Sequence, residues 1–176
     1  MLKHFLTFEK NIADLEGKIE DLKHISSNSD LNIAEEIGKL QNKVLNELTD
    51  TYSNLNPWQK VQVSRHGDRP HTLDYIKYIF KDIVLLHGDK KYADDNAIVG
   101  GLAKIDGSSV FFVGTEKGNT METRIKHNFG MAKPEGYRKA IRLMNLAEKF
   151  NLPVICFIDT PGAFPGVDAE DRGQSE

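Results

Sequence analysis

The stretch Asn151-Leu152-Pro153-Val154-Ile155-Cys156-Phe157-Ile158-Asp159-Thr160-Pro161-Gly162-Ala163-Phe164-Pro165-Gly166 decides how this sequence folds. Val154 to Ile158 is a short, continuous apolar run rich in branched residues. Such a run predicts a strand buried on both faces of a helix-covered parallel sheet. Asp159 to Gly166 then leaves the strand's carboxyl end, where ligands of open α/β sheets bind. Two glycines, two prolines and Phe164 make this a stiff loop whose backbone a ligand can approach closely. Upstream lies Asn128-Phe129-Gly130-Met131-Ala132-Lys133-Pro134-Glu135-Gly136-Tyr137. Pro134 suits a first helical turn, where its missing N–H costs nothing. Ala140, Leu143, Ala147 and Phe150 follow at helical spacing and predict one apolar face. Asn151 reads as the helix stop and Pro153 as the strand start.

Further upstream, Ala97–Ile105 and Ser109–Thr115 are apolar, branched runs separated by Asp106-Gly107, a strong hairpin signal. Gly100-Gly101 within the first run indicates a bulge or a close backbone approach. The expected order is therefore strand, strand, loop, helix, parallel strand. Before it, Thr72 is expected to cap a helix with Leu73, Ile76, Phe80 and Ile83 on its buried face and Gly88 at its end. Tyr52 to Pro70 reads as a connector holding Trp58, the single tryptophan. Its Arg65-His66-Gly67-Asp68-Arg69-Pro70 reads as a solvated loop or structural ion pair rather than a catalytic group.

At the amino end, Ile12, Leu15, Ile19 and Leu22 step by three and four, and Ile33, Ile37, Leu40, Val44 and Leu48 repeat the seam. Ser26 to Asp30 breaks the pattern, and Asn32 with Glu35 resembles a capping box for the second helix. Two helices joined by a short polar turn predict a helical hairpin over 1–53. Residues 1–50 hold six lysines against ten carboxylates, which reads as a solvated outer face or as a seam that packs on another subunit.

The 176 residues, net charge −3, argue against nucleic acid as the main partner. No apolar run approaches the roughly 20 residues of a membrane span, and the first residues lack the apolar core of a signal peptide. Cys156 is the single cysteine. It excludes an internal disulfide or a multi-cysteine zinc site within these residues, and in the expected strand it reads as a small buried apolar group. A reducing, cytoplasmic setting fits.

A strand ending in Asp159-Thr160-Pro161-Gly162 also suits a nucleotide hydrolase, but that chemistry needs a phosphate loop upstream. Gly114 to Thr120 has three residues between its glycines where four are required, and Asn119 where lysine is required. There is no Gly-x-Ser-x-Gly elbow and no metal set in this chain. What remains is chemistry by backbone N–H groups, whose signature is glycine loops.

Tyr52 to Glu176 resembles the carboxyltransferase α subunit of bacterial acetyl-CoA carboxylase. The resemblance is carried by Pro57 to Gln62, Arg69 to Ile76, Leu86 to Asp89, Asn128 to Ala140 and Phe157 to Glu176. It implies an α/β, crotonase-like fold of strand–strand–helix repeats preceded by the helical hairpin, with the carboxyltransferase domain beginning at residue 54 and running on through 176. It implies transfer of a carboxyl group from carboxybiotin, presented on the biotin carboxyl carrier protein, to acetyl-CoA, giving malonyl-CoA for fatty acid synthesis. Both half-reactions develop negative oxygen, an enolate on the thioester and a ureido oxyanion on biotin. Biotin carboxylase would use ATP to charge the carrier. A β subunit bearing a zinc ribbon and most of the coenzyme A site completes an α2β2 assembly. The resemblance places Gly162, Ala163, Phe164, Pro165 and Gly166 on the biotin side, bordered by Lys117 and Gly118. It places the oxyanion glycines past Glu176, after the next helix and strand. Residues 1–176 are thus expected to be an N-terminal portion, cut before the later repeats and inactive alone. The competing readings are another crotonase-like acyl-CoA enzyme, which needs its coenzyme A site in one chain, and a non-catalytic interaction module.

Overall fold

The computed structural model describes residues 4–25 and 31–174. The chain forms two units that divide between Arg69 and Pro70. In the first, α1 (Lys10–Ile25) and α2 (Leu31–Ser53) bury Ile12, Leu15, Ile19 and Val44 against one another, flanked by Ile37, Leu40 and Leu48. The start of α1 meets the end of α2: the Tyr52 hydroxyl donates to Glu9, and the Phe8 and Tyr52 rings meet edge-on with centroids 6.3 Å apart. The two helices are therefore antiparallel and close the apolar seam on each other. Burial and the Glu9 carboxylate, whose hydrogen bond acts most strongly, push the Tyr52 phenol up to about 12. The expected break at Ser26–Asp30 lies outside the described residues. Asn32 lies inside α2, not before it, because the helix already runs from Leu31.

The expected connector over 52–70 is largely helical. α2 continues to Ser53, and α3 (Pro57–Ser64) follows. Asn56 caps α3 by accepting from the Gln59 N–H at 2.9 Å while the Gln59 side chain accepts from the Asn56 N–H, and Pro57 occupies the first turn. This capping signal is local and precedes no long apolar pattern, so periodicity passes over it. His66 bonds to backbone, through Nε2 to the His4 carbonyl and through Nδ1 from the Asp68 N–H.

The second unit is a four-stranded sheet in the order β1-β2-β3-β4, made of β1 (Lys81–Leu85), β2 (Ile98–Ile105), β3 (Ser108–Thr115) and β4 (Val154–Phe157). β1, β2 and β3 are antiparallel neighbours, and β4 runs parallel to β3. The β2–β3 turn is Asp106-Gly107, both at positive φ (47° and 82°), as a two-residue hairpin requires. β3 is the central strand. Phe111 and Val113 face the cluster of Ile98, Leu143 and Ala147, while Val110 and Phe112 face Ile76 and Phe80.

Two expectations change here. The helix expected from Thr72 past Ile83 is α4 (Thr72–Ile79), and a strand follows it. Phe80 leaves helical geometry at φ −101°, ψ 154°, and the branched Ile83 and Val84 suit the pleated surface beside β2. Ile76, Phe80 and Ile83 still share one cluster, so the spacing found the buried face while missing the change of element. Thr72 is the first helical residue, and its hydroxyl donates to the Thr115 carbonyl at 2.5 Å. Gly88 ends no helix; it turns the chain after β1 at φ 77°.

The strand expected to be buried on both faces is only half-buried, and among the described residues it lies at the edge of the sheet. β4 pairs with β3 on one side, Cys156 is exposed, and Ile158 is 84% exposed. The doubly buried strand is β3. After β3 comes the short helix α5 (Met121–Lys126) and then α6 (Pro134–Lys149). Leu143 and Ala147 of α6 are fully buried as expected, but Phe150 sits at the helix end, 60% exposed, because Asn151 at φ 52° already turns the chain away.

Gly101 opposes β1 so closely that an added methyl would overlap the Val84 carbonyl. Gly101→Ala should cost about 1–3 kcal/mol, the usual range for overpacking. Gly17→Ala, in α1 with nothing within 4 Å of the new methyl, should stabilise its unit by about 0.5–1 kcal/mol. Urea midpoints followed by circular dichroism check both.

Candidate functional site

Parallel pairing sets the carboxyl ends of β3 and β4 side by side, Gly114 opposite Phe157. The loops that follow, Glu116–Thr120 and Asp159–Gly166, are thereby brought together. The Asp159 N–H donates to the Thr115 hydroxyl at 2.6 Å, and Lys117 pairs with the Asp159 carboxylate. The turn Asn128–Gly130 completes the rim. Its carbonyl at Gly130 accepts from the Thr160 hydroxyl at 2.6 Å, and an added methyl on Gly130 would press on Lys117 Cγ at 2.7 Å. Ala132 and Ala163 form an isolated parallel bridge through the Phe164 N–H, 3.0 Å from the Ala132 carbonyl.

The residues singled out in the sequence occupy this rim in different ways. Gly162 has φ 151°, a value that disfavours any side chain, and open space where a methyl would stand. Its carbonyl and N–H are both engaged by the Thr160 hydroxyl, at 3.0 and 3.1 Å, so the open side is the face over its Cα. Ala163 and Pro165 are exposed beside it. Phe164 is half-buried, its ring under Lys133 Nζ at 4.6 Å from the centroid. Gly166 is packed from within the loop: a methyl there would meet the Phe164 ring at 2.5 Å and Asp168 Oδ1 at 2.6 Å. Gly118 has φ 76° and donates its N–H to the buried Glu116 at 2.7 Å. Lys117 is tied to Asp159 and so bridges the two loops.

Sequence reasoning missed the carboxylates that hold the rim. Glu116, 2% exposed, also accepts from the Leu73 N–H at 2.8 Å and ties α4 to this loop. Asp95, 3% exposed, accepts from the N–H groups of Ala97 and Lys133 at 3.0 and 2.7 Å and from the Asn128 amide at 3.0 Å. These bonds pin the start of α6 and the Asn128–Gly130 turn, which holds three consecutive positive φ values. Burial pushes the Asp95 carboxyl up, against those bonds. Lys139, 2% exposed, donates to Asp94 at 2.6 Å and to the Asp95 carbonyl at 2.7 Å. Burial works to raise Asp94, but the Lys139 ammonium and the Gly88 N–H outweigh it and lower the carboxyl to about 2. The readable signal was Gly136, Lys139, Leu143 and Ala147 on one helical face, opposite the acidic pair Asp94-Asp95.

The charged groups Lys117 and Lys133 are thus engaged, the latter 3.7 Å from Asp168. The rim offers backbone, small residues and one aromatic ring, which can shape and orient a ligand but supply no nucleophile–base pair among the described residues.

The family described as acetyl co-enzyme A carboxylase carboxyltransferase-like matches residues 5–176. The chain belongs to this family. Its relatives include proteins named acetyl-coenzyme A carboxylase carboxyl transferase subunit alpha. That of Paramagnetospirillum magneticum is 59% identical over 98% of this chain and 55% of its own length, and that of Rhodospirillum centenum is 58% identical over the same shares. The chain spans about half the length of the curated relatives it matches. The carboxyltransferase family member also overlays on the transcarboxylase 12S core solved with hydrolysed methylmalonyl-coenzyme A, with a TM-score of 0.48 and 25% identity over 61% of this chain and 19% of that one.

The Asp94 shift has a definite sign. An acid lowered from 3.8 to about 2 favours the folded state above pH 3.8, and that contribution is lost as pH falls toward 2. Asp95, raised by burial, acts in the opposite direction. Asp94→Asn should therefore lower stability at neutral pH, and the gap to the parent protein should close on acidification below about pH 3. Thermal melts across pH 2–7 check this; a gap independent of pH would remove the Lys139–Asp94 pair as its cause. Gly136→Ala, whose methyl would stand 2.5 Å from Asp95 Oδ2, should cost about 1–3 kcal/mol by disturbing that carboxylate's bonds.

Proposed function

We propose that this chain is the amino-terminal part of the α subunit of an acetyl-CoA carboxylase carboxyltransferase. The observation that carries the reading is the family match along residues 5–176, with relatives of that printed name more than half identical to the chain. In this reading residues 1–53 form a helical extension and 54–176 begin the carboxyltransferase domain. The working assembly is cytoplasmic and pairs the α subunit with a zinc-ribbon β subunit as α2β2. Carrier protein and biotin carboxylase, the latter consuming ATP, act before it. No described helix is long and apolar enough to cross a membrane.

Carboxybiotin on the carrier would supply the carboxyl group that acetyl-CoA accepts to become malonyl-CoA. This chain's contribution is to seat the biotin end. Gly162 supports that role, since space is open over its backbone and a planar ring system can lie against it. Ala163 and Pro165 offer a small apolar surface on either side of the Phe164 backbone. Gly118 and Lys117 border the seat, Lys117 by holding Asp159 and with it the loop. Gly166 serves the same seat indirectly by admitting the Phe164 ring. The oxyanion donors belong to glycines farther along the full subunit, so residues 1–176 alone are inactive.

Two measurements test this. The full-length subunit, combined with its β partner, should form malonyl-CoA from carboxybiotin and acetyl-CoA, and residues 1–176 should not. In that assembly Ala163→Leu, at an exposed position whose backbone already carries a side chain, should raise the apparent KM for the biotin donor about tenfold, a loss of roughly 1.4 kcal/mol of binding, while melting and subunit assembly stay within normal variation. If activity and stability fall together, the loop is only a turn. If neither changes, it does not seat biotin.

A further inference from the structure

A cleft of about 550 Å³ runs along the outer side of α6, walled by the loop after β1. Its volume lies in the range of small-molecule sites, roughly 300–1,000 Å³. Two ridges of α6 face it at helical spacing, Arg138–Arg142–Leu146 and Ile141–Asn145–Lys149, and Lys91 and Asp89 supply the wall. The charge there is one-sided. Four cationic side chains line the cleft against a single carboxylate, in a chain whose net charge is −3.

The carboxylate does not oppose an anion. Asp89 is 5% exposed and accepts from the N–H groups of Lys91, Tyr92 and Ala93 and from Arg138 Nε at 2.9 Å. Arg138 is offset by Asp89 and Glu135. Arg142 is different. Its Nε and Nη2 donate to the carbonyls of Gly88 and His87 at 3.0 and 3.2 Å. Those partners are neutral, so they fix the guanidinium without cancelling its charge. A cation held in this way loses little freedom when it meets a phosphate. Lys91 and Lys149 are exposed at the rim and form no ion pair among the described residues. Ile141, half exposed, and Leu146 provide an apolar floor. Asn145 stands between them on the helix with both donor and acceptor atoms.

We propose that this cleft binds a nucleotide through its phosphates and base. Arg142, with Lys91 and Lys149, would hold a diphosphate. The base would lie on Ile141 and Leu146, with the Asn145 amide reading its edge. The inference is independent of the carboxyltransferase reading, because none of these residues belongs to the rim at β3 and β4.

The test is calorimetric titration of the full chain with ADP, pyrophosphate and adenosine at low and moderate salt. ADP should bind, adenosine should bind at least about tenfold more weakly, and affinity should fall with salt as exposed charge pairs are screened. The double variant Lys91→Gln/Lys149→Gln should weaken ADP about tenfold or more. Its melting temperature should be unchanged, since both side chains are exposed. Ile141→Asn, a neutral change at an exposed position, should weaken ADP but leave pyrophosphate closer to its parent value than ADP. Coenzyme A as competitor then separates two sources of the same chemistry: displacement at lower concentration than free ADP assigns the nucleotide of a thioester, and weaker displacement assigns a free nucleotide. No saturable heat with ADP at millimolar concentration, or ADP binding untouched by the double variant, would overturn the proposal.

Discussion

The second unit depends on a buried ammonium. Lys139 lies on the face of α6 that also carries Leu143 and Ala147, and it reaches Asp94 and the Asp95 carbonyl with almost no exposure to solvent. A charge so placed is tolerated only because its partners are fixed; removing one partner of such a pair typically costs about 3–5 kcal/mol. The consequences spread outward. Positioning the Asp94–Asp95 segment against α6 sets Asp95 to receive the Lys133 N–H and the Asn128 amide. Those bonds place the Ala132 carbonyl, which receives the Phe164 N–H. The loop after β4 is therefore located through a chain of contacts that starts at one lysine.

A second network runs beside the first, with both of its carboxylates, on Asp89 and Glu135, buried. Asp89, Arg138, Glu135 and Arg172 alternate in charge, and Arg172 lies over the Tyr92 ring at 4.7 Å. Glu135, through its hydrogen bond, raises the Arg172 guanidinium further. This network joins the loop after β1, the first turn of α6 and the short helix Val167–Glu170 with the residues just after it. Both networks grip α6, one from beneath and one from its amino-terminal end, which suits a helix that must hold loops on either side of the sheet.

The sequence made the hairpin and α6 legible because their signals are local and physical. Asp106-Gly107 can take two positive φ values, and Leu143 and Ala147 repeat at helical spacing. Gly100-Gly101 announced close approach, and Gly101 does lie under the Val84 carbonyl. Periodicity failed where two elements share one face. Ile76, Phe80 and Ile83 are three and four apart, yet a chain that changes from helix to strand at Phe80 buries them together. It failed again at β4, since an apolar run carries no mark of how far its two faces will be covered. Of the rim, the glycines and the stiff loop were legible, whereas Glu116, Asp95 and Lys139 were not. Charged residues are ordinarily assigned to solvent, and only the tertiary fold reveals that Glu116 and Asp95 are enclosed with backbone N–H groups and Lys139 with the Asp94 carboxylate and the Asp95 carbonyl.

The sheet's mixed strand directions also imply an order of assembly. β2 and β3 are joined by two residues, so their register is set by a turn that closes within microseconds. β4 adds to β3 only after about 40 intervening residues have been drawn in, and closing a loop of that length carries an entropic cost that local pairing avoids. The antiparallel hairpin can thus serve as a template whose far edge waits for α6. Once the helix docks, its tail delivers Val154 beside Phe111. Among β1 to β4, the strand that carries the rim loop is then placed after the hairpin it pairs with, so its carboxyl-terminal surface forms on a template that is already in register.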